Sequence, residues 1–397
     1  MTEALAQAFA SGRLVRPSAD QPNFVDLVLA MAKFGGVADL PGGAEAAKIA
    51  KLIGAPQHLV FVLVDGLGMN LLEQLPADSF LRQHLTGELQ AVFPSTTASA
   101  LTTLATGAWP CEHGMPGWWV YVDEEDVSVT SLPFEERFTR RPASDLGVTM
   151  QMLWPLPALM AMLSRQAAAV LPAEICDSPF SRYACGDRPG LAYATIAAAT
   201  DAAMGWLGDV RPPSYLYVYL PHLDAACHRE GIGGPAVEQV LHDVDEQLAR
   251  LAEATSGRAR IIVSADHGMI DVREQDRLAL FDGDPLLDLL LAPPTGEPRV
   301  PMFHVKPGMQ ERFVAAFNER FGRRMALLSV DEVQRLKLLG PGPLSVLARR
   351  RFGDYLGVAL DPVTLKYYSP GSVPANDHVG FHAGLTPQEM RTPLIVA

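Results

Sequence analysis

"HLVFVLVDGLG", His58 to Gly68, decides the fold class. Six apolar residues follow His58 without a polar one between them, and three are valine. A run with no alternation has no face left for water. It is the pattern of a strand covered on both sides, as in a parallel sheet. The run stops at Asp65-Gly66, an acid followed by a turn residue. Parallel neighbours need long crossovers, usually helices, and the chain supplies them. "GMNLLEQL" (68–75) reads as a short helix and "ELQAVF" (88–93) as a second strand. Thr97 to Thr106 reads as a helix closed by Gly107. "YLYVYLP" (215–221) and "RARIIVSADHG" (258–268) read as further strands, separated by a long amphipathic helix over 235–255. "RTPLIVA" (391–397) reads as the last strand. The expected class is therefore α/β: a doubly wound, mainly parallel sheet with helices on both faces.

Two stretches do not follow this alternation. Residues 116–205 hold turn clusters and one apolar helix candidate, Met150 to Leu163. Residues 286–372 hold a strand, helices over 309–322 and 329–340, and short strands at 355–360 and 365–368. The expected organisation is a catalytic core from 1–115, 206–285 and 373–397, interrupted by cap or lid segments at 116–205 and 286–372.

The totals narrow the function classes. The chain has 397 residues, 48% hydrophobic and 19% charged, enough to bury a large core. Its formal net charge of −13 argues against a general binder of nucleic-acid polymers. The four cysteines, Cys111, Cys176, Cys185 and Cys227, form no CxxC pair, which removes zinc-ribbon chemistry. The first residues carry no apolar segment behind a basic start, and no apolar run is long enough to span a bilayer. These features give the expectation of a cytoplasmic protein with reduced thiols and no membrane partner.

Chemistry-bearing residues gather where the strands end. Ligands of open α/β sheets bind at the carboxyl ends of strands. Asp65 ends the first. Asp224 and His228, four apart in "HLDAACHREG", share one face of a helical turn and can grip one metal. Asp266 and His267 stand side by side in "SADHGM", and both reach one metal only if the chain bends, which Gly268 permits. "NDHVGFHAGLTPQEM" supplies His378 and His382 before the last strand. "AVFPSTTASALTTLATG" packs Ser95, Thr96, Thr97, Ser99, Thr102, Thr103 and Thr106 into twelve residues.

"VLVDGLG", "FPSTTASALTTLATGAWPCEHGM", "DAACHREG", "SADHGM" and "HAGLTPQE" follow one another in the order of the alkaline phosphatase superfamily. The chain most resembles its nucleotide pyrophosphatase/phosphodiesterase branch, over roughly the sheet-forming half. The resemblance implies two divalent metal ions, zinc foremost, although carboxylate and imidazole ligands also suit manganese or iron. It implies Asp224, His228 and His382 on one metal, and Asp65, Asp266, His267 and the Thr97 oxygen on the other. In the pattern F-P-[ST]-x-T the last hydroxyl is the nucleophile, here Thr97, with Thr96 as its rival. Ser95 and Thr96 are then expected to shape the turn and cap the helix. A metal-bound hydroxyl ionises more readily, and a helix start favours a phosphoryl group.

One departure stands out. Where the branch carries an Asn that donates to a phosphoryl oxygen, this chain has Trp118. Its indole N–H is a donor of different reach, so Trp118 is a candidate substrate contact or a packing residue. Arg182, Lys366 and Tyr367 are other candidate donors. His113 is expected to shape a turn, His378 to sit behind a ligand, and Cys227 to point away from the metals. The implied function is hydrolysis of small phosphate diesters or nucleotide pyrophosphate bonds through a phosphothreonine intermediate. Phosphonate hydrolysis or phosphomonoester hydrolysis is the alternative within the superfamily. A non-catalytic metal- or nucleotide-binding module is the alternative outside it.

Overall fold

The His58–Val64 strand is buried at all seven residues and lies at the centre of a seven-stranded sheet. The computed structural model describes residues 3–370 and 378–397. Ser214–Leu220 and Ala259–Ser264 flank the central strand, both parallel to it. Gln166–Pro172 and Gly190–Tyr193 extend the sheet on one side, also parallel. On the other side Arg391–Val396 runs antiparallel to Ala259–Ser264 and to Leu85–Gln90. The sheet is thus mixed and mostly parallel, with the final strand the one reversed.

Both faces are covered, as the unbroken apolar run requires. Leu59, Phe61 and Leu63 pack with the helices Phe24–Phe34 and Thr97–Thr106. Val60, Val62 and Val64 pack on the other face with Ile196–Asp209 and Pro235–Thr255. The latter helix buries Val237, Leu241, Val244, Leu248, Leu251 and Thr255, alternating steps of four and three that form one stripe. Burying each such side chain contributes about 1.5–3 kcal/mol, so this central strand anchors the sheet.

The two irregular stretches build a second sheet together. Trp119–Val122, Val127–Thr130 and Glu135–Glu136 come from the first. Thr295–Glu297, Val300–Phe303, Met325–Ser329 and Tyr355–Ala359 come from the second. They form one seven-stranded sheet, antiparallel at every pairing, joined where Gly296 pairs with Trp119.

Three expectations change. Gln166–Pro172 and Gly190–Tyr193 are strands of the first sheet although they lie within 116–205, and the helix Ile196–Asp209, which begins there and runs past residue 205, packs on that sheet. Met150 to Leu163 is two single turns, Met150–Leu153 and Leu159–Met162. Pro155 and Pro157 fall between them; each lacks an N–H and pushes its predecessor out of the helical region. The helix expected over 329–340 covers only Val330–Arg335, capped by Ser329. The junction expected at 372/373 lies outside the described residues. All four cysteines are free. Among the described residues no helix is long and apolar enough to cross a membrane.

Candidate active site

The parallel register brings three chain segments to one end of the sheet. Val64 pairs with Leu220, and Leu63 with Ser264. Asp65 follows directly; its N–H donates to the Leu220 carbonyl and its own carbonyl accepts from Asp224 N–H. Asp266 Oδ1 accepts Gly66 N–H at 3.2 Å and His267 N–H at 3.0 Å, which ties the first strand's turn to the third's. The two turns approach so closely that a Cβ on Gly268 would collide with the Gln388 carbonyl and stand 2.8 Å from Gly68 Cα. Only glycine fits there, and the bend swings Asp266 and His267 to the same side.

Asp224 and His228 lie one turn apart on the helix His222–Glu230, with Nε2 3.3 Å from Oδ1. His382 Nε2 is 3.9 Å from the same oxygen. His267 Nε2 is 3.4 Å from Asp65 Oδ1, 3.5 Å from Asp266 Oδ2 and 3.1 Å from Thr97 Oγ1. Two groups of ligand atoms each fall within 4.8 Å: Asp65, Asp266 and His267, and Asp224, His267 and His382. The first is the trio expected from the sequence. The second shares His267 with the first, its ring stacked on His382 with centroids 3.9 Å apart. His228, the expected third ligand, lies beside Asp224 and packs at a tilt against His378, with ring centroids 4.1 Å apart.

The histidines are aligned alike. Nδ1 of His228 faces the Gly380 carbonyl at 2.8 Å, that of His267 the Gly268 carbonyl at 3.2 Å, and that of His382 the Ser95 carbonyl at 3.3 Å. A carbonyl only accepts, so each Nδ1 carries the proton and donates, leaving the Nε2 side toward the carboxylates. Facing them, Asp65 Oδ1, Asp224 Oδ1 and Asp266 Oδ2 are buried without a hydrogen-bond partner among the described residues. Burial, then the neighbouring carboxylates Asp266 and Asp224, push the Asp65 pKa well up, and burial raises that of Asp266. Burial, then His267 and His228, hold His382 well below the usual imidazole range. Crowded carboxylate oxygens opposite imidazole nitrogens repel one another until a cation lies between them. This donor set fits divalent cations. Cys227 is no part of it, being packed in the apolar cluster behind the sheet.

The hydroxyl cluster now separates residue by residue. Ser95 donates to the Gly384 carbonyl, Ser99 to that of Met115, Thr102 to that of Ala98 and Thr106 to that of Thr102. Thr103 meets His113 Nε2 at 3.1 Å. His113 Nδ1 accepts Met115 N–H, so it holds the turn as a neutral ring, its pKa pushed down to about 3 by burial and then Arg351. Thr96 occupies the N-cap position, but its hydroxyl does not cap the helix; it donates to Glu297 Oε1 at 2.5 Å. Thr97 alone of the seven turns its hydroxyl to the carboxylate and histidine groups.

A cleft of about 380 Å³ opens over these groups. Trp118 borders it and is 36% exposed, which places the indole at the cleft wall and not in the core. Trp119 lies under the Arg137 guanidinium at 4.0 Å, and Lys366 Nζ is 5.9 Å from the same ring. Burial pushes the Arg137 pKa down to about 9. Of the alternative donors, Lys366 borders the cleft, joined by Arg140. Arg182 sits on the helix Pro179–Cys185 and Tyr367 packs edge-on to Phe138; neither borders it.

Sequence reasoning missed Tyr219, whose hydroxyl donates to Asp65 Oδ2 at 2.5 Å. Its signal was a tyrosine two residues before a strand-ending proline. It also missed Glu297, and the Arg299–Glu389 pair, fully buried and bidentate at 2.5 and 2.9 Å. Glu389 further accepts from Gly384 N–H and Thr386 N–H, fixing the loop that follows His382. "TGEPRVP" gave no local sign of either role.

The family profile described as type I phosphodiesterase / nucleotide pyrophosphatase matches residues 59–334, more than half of the chain. The chain belongs to this family. The matched span contains Asp65, Thr97, Asp224, His228, Asp266 and His267, while His382 lies beyond it. Three solved structures are similar to this family member. Murine ectonucleotide pyrophosphatase / phosphodiesterase 5 is 16% identical with a TM-score of 0.63, over 85% of this chain and 87% of that one. The human counterpart is 15% identical with the same score and coverage. Phosphonoacetate hydrolase from Sinorhizobium meliloti 1021 is 19% identical with a TM-score of 0.59, over 86% and 90%. These likenesses describe a shared fold. An inactive threonine-to-alanine variant of the murine protein was solved with AMP. No curated protein matches the chain. The protein is a hydrolase of the type I phosphodiesterase/nucleotide pyrophosphatase family, with the α/β fold of the alkaline phosphatase superfamily.

Proposed function

We propose that the protein hydrolyses small phosphate diesters or nucleotide pyrophosphate bonds with Thr97 as nucleophile. The observation that carries this reading is the Thr97 hydroxyl, held 3.1 Å from His267 Nε2 inside the cluster of unpartnered carboxylate oxygens. Asp224, His228 and His382 would hold one divalent cation, and Asp65, Asp266, His267 and Thr97 Oγ1 the other, with zinc our reading of both. Bound there, the cations supply the positive charge that favours an ionised hydroxyl, an ionised water and a departing oxygen.

The chain's own residues do the rest. Thr97 Oγ1 attacks phosphorus, its bond to the phosphoryl group forms, and the ester or pyrophosphate oxygen leaves from the opposite side. Water then cleaves the threonine–phosphorus bond and frees Thr97. Tyr219 fixes the orientation of Asp65 throughout. Trp118 is read as a cleft wall for the leaving group. The AMP complex of the murine relative, and the inactivity of its threonine variant, support a small nucleotide and a threonine nucleophile. The four free thiols suit a reducing compartment, and the cytoplasm is the location we propose.

A second reading is phosphonate hydrolysis. Lys366 and Arg140 border the cleft, and two cations there suit a substrate with a second anionic group. A panel of aryl phosphate diester, monoester, phosphonate and sulfate ester separates the readings. The diester is expected to be turned over fastest; a dominant monoester or phosphonate rate overturns the first reading.

A further inference from the structure

Thr96 precedes the ten-residue helix Thr97–Thr106 in an extended conformation, φ −139° and ψ 148°. A threonine at this position ordinarily turns its hydroxyl back to accept from the second or third helical amide. Here no side chain caps the helix. The Thr96 hydroxyl points the other way and donates to Glu297 Oε1. The same oxygen accepts Trp118 N–H at 2.7 Å. Glu297 ends the short strand Thr295–Glu297 of the second sheet, beside the Gly296 pairing with Trp119, and is 6% exposed. Gly117 gives it room, since a Cβ there would lie 2.9 Å from Glu297 Cγ.

The uncapped helix start faces a site that independently calls for a ligand. Asp65 Oδ1 and Asp266 Oδ2 are buried and unpartnered among the described residues, and both face the His267 nitrogen that meets Thr97. A capping hydroxyl and a substrate oxygen would compete for the same amide donors, and a helix start with free N–H groups favours an anion.

We infer that Glu297 is a positioning residue: it draws the Thr96 hydroxyl away from the helix and so leaves the Ala98 and Ser99 N–H groups open to the phosphoryl oxygens. This rests on the phosphate-ester reading of the site. The second sheet thereby acts on the reaction centre through one carboxyl group at the border of the cleft, engaged by the Thr96 hydroxyl and Trp118 N–H.

Binding of inorganic phosphate to the zinc-loaded full chain, measured by calorimetry, tests it. Thr96→Val is expected to bind within about twofold of the wild type, since the hydroxyl is not used there. Glu297→Ala frees that hydroxyl to cap Ser99 N–H, and phosphate affinity is expected to fall about fivefold, the usual worth of a cap. The double variant Glu297→Ala/Thr96→Val removes the competitor, and affinity is expected to return to within about twofold of Thr96→Val. General loosening of the fold gives no such rescue. An unrescued double variant, an unaffected Glu297→Ala, or a wild type that binds no phosphate overturns the inference. Glu297→Gln keeps an acceptor oxygen and covers the case in which the alanine variant does not fold. It is expected within about twofold of wild type, and a tenfold loss with metal retained overturns the inference. Phosphate binding needs no turnover. A wild type that shows this binding pattern but hydrolyses no diester counts against the proposed function alone. Hydrolysis without the pattern counts against Glu297 alone.

Discussion

Thr97 Oγ1 and His267 Nε2 stand 3.1 Å apart, although one begins a helix and the other follows a strand far along the chain. That contact joins the hydroxyl cluster to the carboxylates of the sheet's end. Removing the Thr97 hydroxyl therefore removes the nucleophile and one candidate metal ligand, but leaves Asp65, Asp266 and His267 in place. Thr97→Ala is expected to lose at least about a thousandfold in diester kcat/KM while retaining most of its bound metal. Thr97→Ser is expected to keep part of the activity. Steady-state kinetics with metal analysis on the same samples checks both.

Chelation is expected to abolish hydrolysis and to lower stability. The crowded carboxylates of Asp65, Asp224 and Asp266 lose their compensating charge, and ligand linkage alone gives about 2.7 kcal/mol at a hundred times Kd. Urea unfolding before and after chelator treatment measures the loss, and adding zinc back is expected to restore both activity and stability.

The Arg299–Glu389 pair is a separate structural test. Both side chains are fully buried, and the pair braces the loop behind His382. Arg299→Met leaves the Glu389 charge buried alone and is expected to cost about 3–5 kcal/mol. The double variant Arg299→Met/Glu389→Leu removes both charges and is expected to be more stable than the single one. Denaturant titration of the three proteins checks the order.

Acid stability follows from His113. Its folded pKa is about 3 against an ordinary 6.5. Between those values the unfolded chain binds the proton and the folded one does not. The contribution is fully present above pH 6.5 and is lost as pH falls toward 3, with a slope of about 1.4 kcal/mol per pH unit. His113→Gln is expected to show a shallower acid limb in unfolding free energy measured from pH 7 to pH 4.

Much of the sheet was legible because His58–Val64 has no polar face, and its ending in Asp65-Gly66 pointed to the site. The Asp224/His228 spacing and the Asp266-His267 pair were legible for the same reason: local pattern and location coincide. Gln166–Pro172 was not, because Ala167, Ala168 and Ala169 carry weak strand preference and only the neighbouring strands Ser214–Leu220 and Gly190–Tyr193 decide their state. The joining of the two irregular stretches rests on Gly296 meeting Trp119, a long-range pairing with no local signature. The direction of the Thr96 hydroxyl was misread because a cap and a tertiary partner use the same residue at the same position. Glu297 was missed because one acid in a turn-rich segment has no periodicity.

In the proposed reaction phosphorus is carried covalently on Thr97. Acid quenching of the metal-loaded protein during turnover of a diester, followed by peptide mass mapping of residues 91–115, tests it most directly. A phosphoryl adduct on Thr97 is expected to form within the first turnover and to be absent from Thr97→Ala. Turnover with no adduct at any time, together with undiminished hydrolysis by Thr97→Ala, would contradict it.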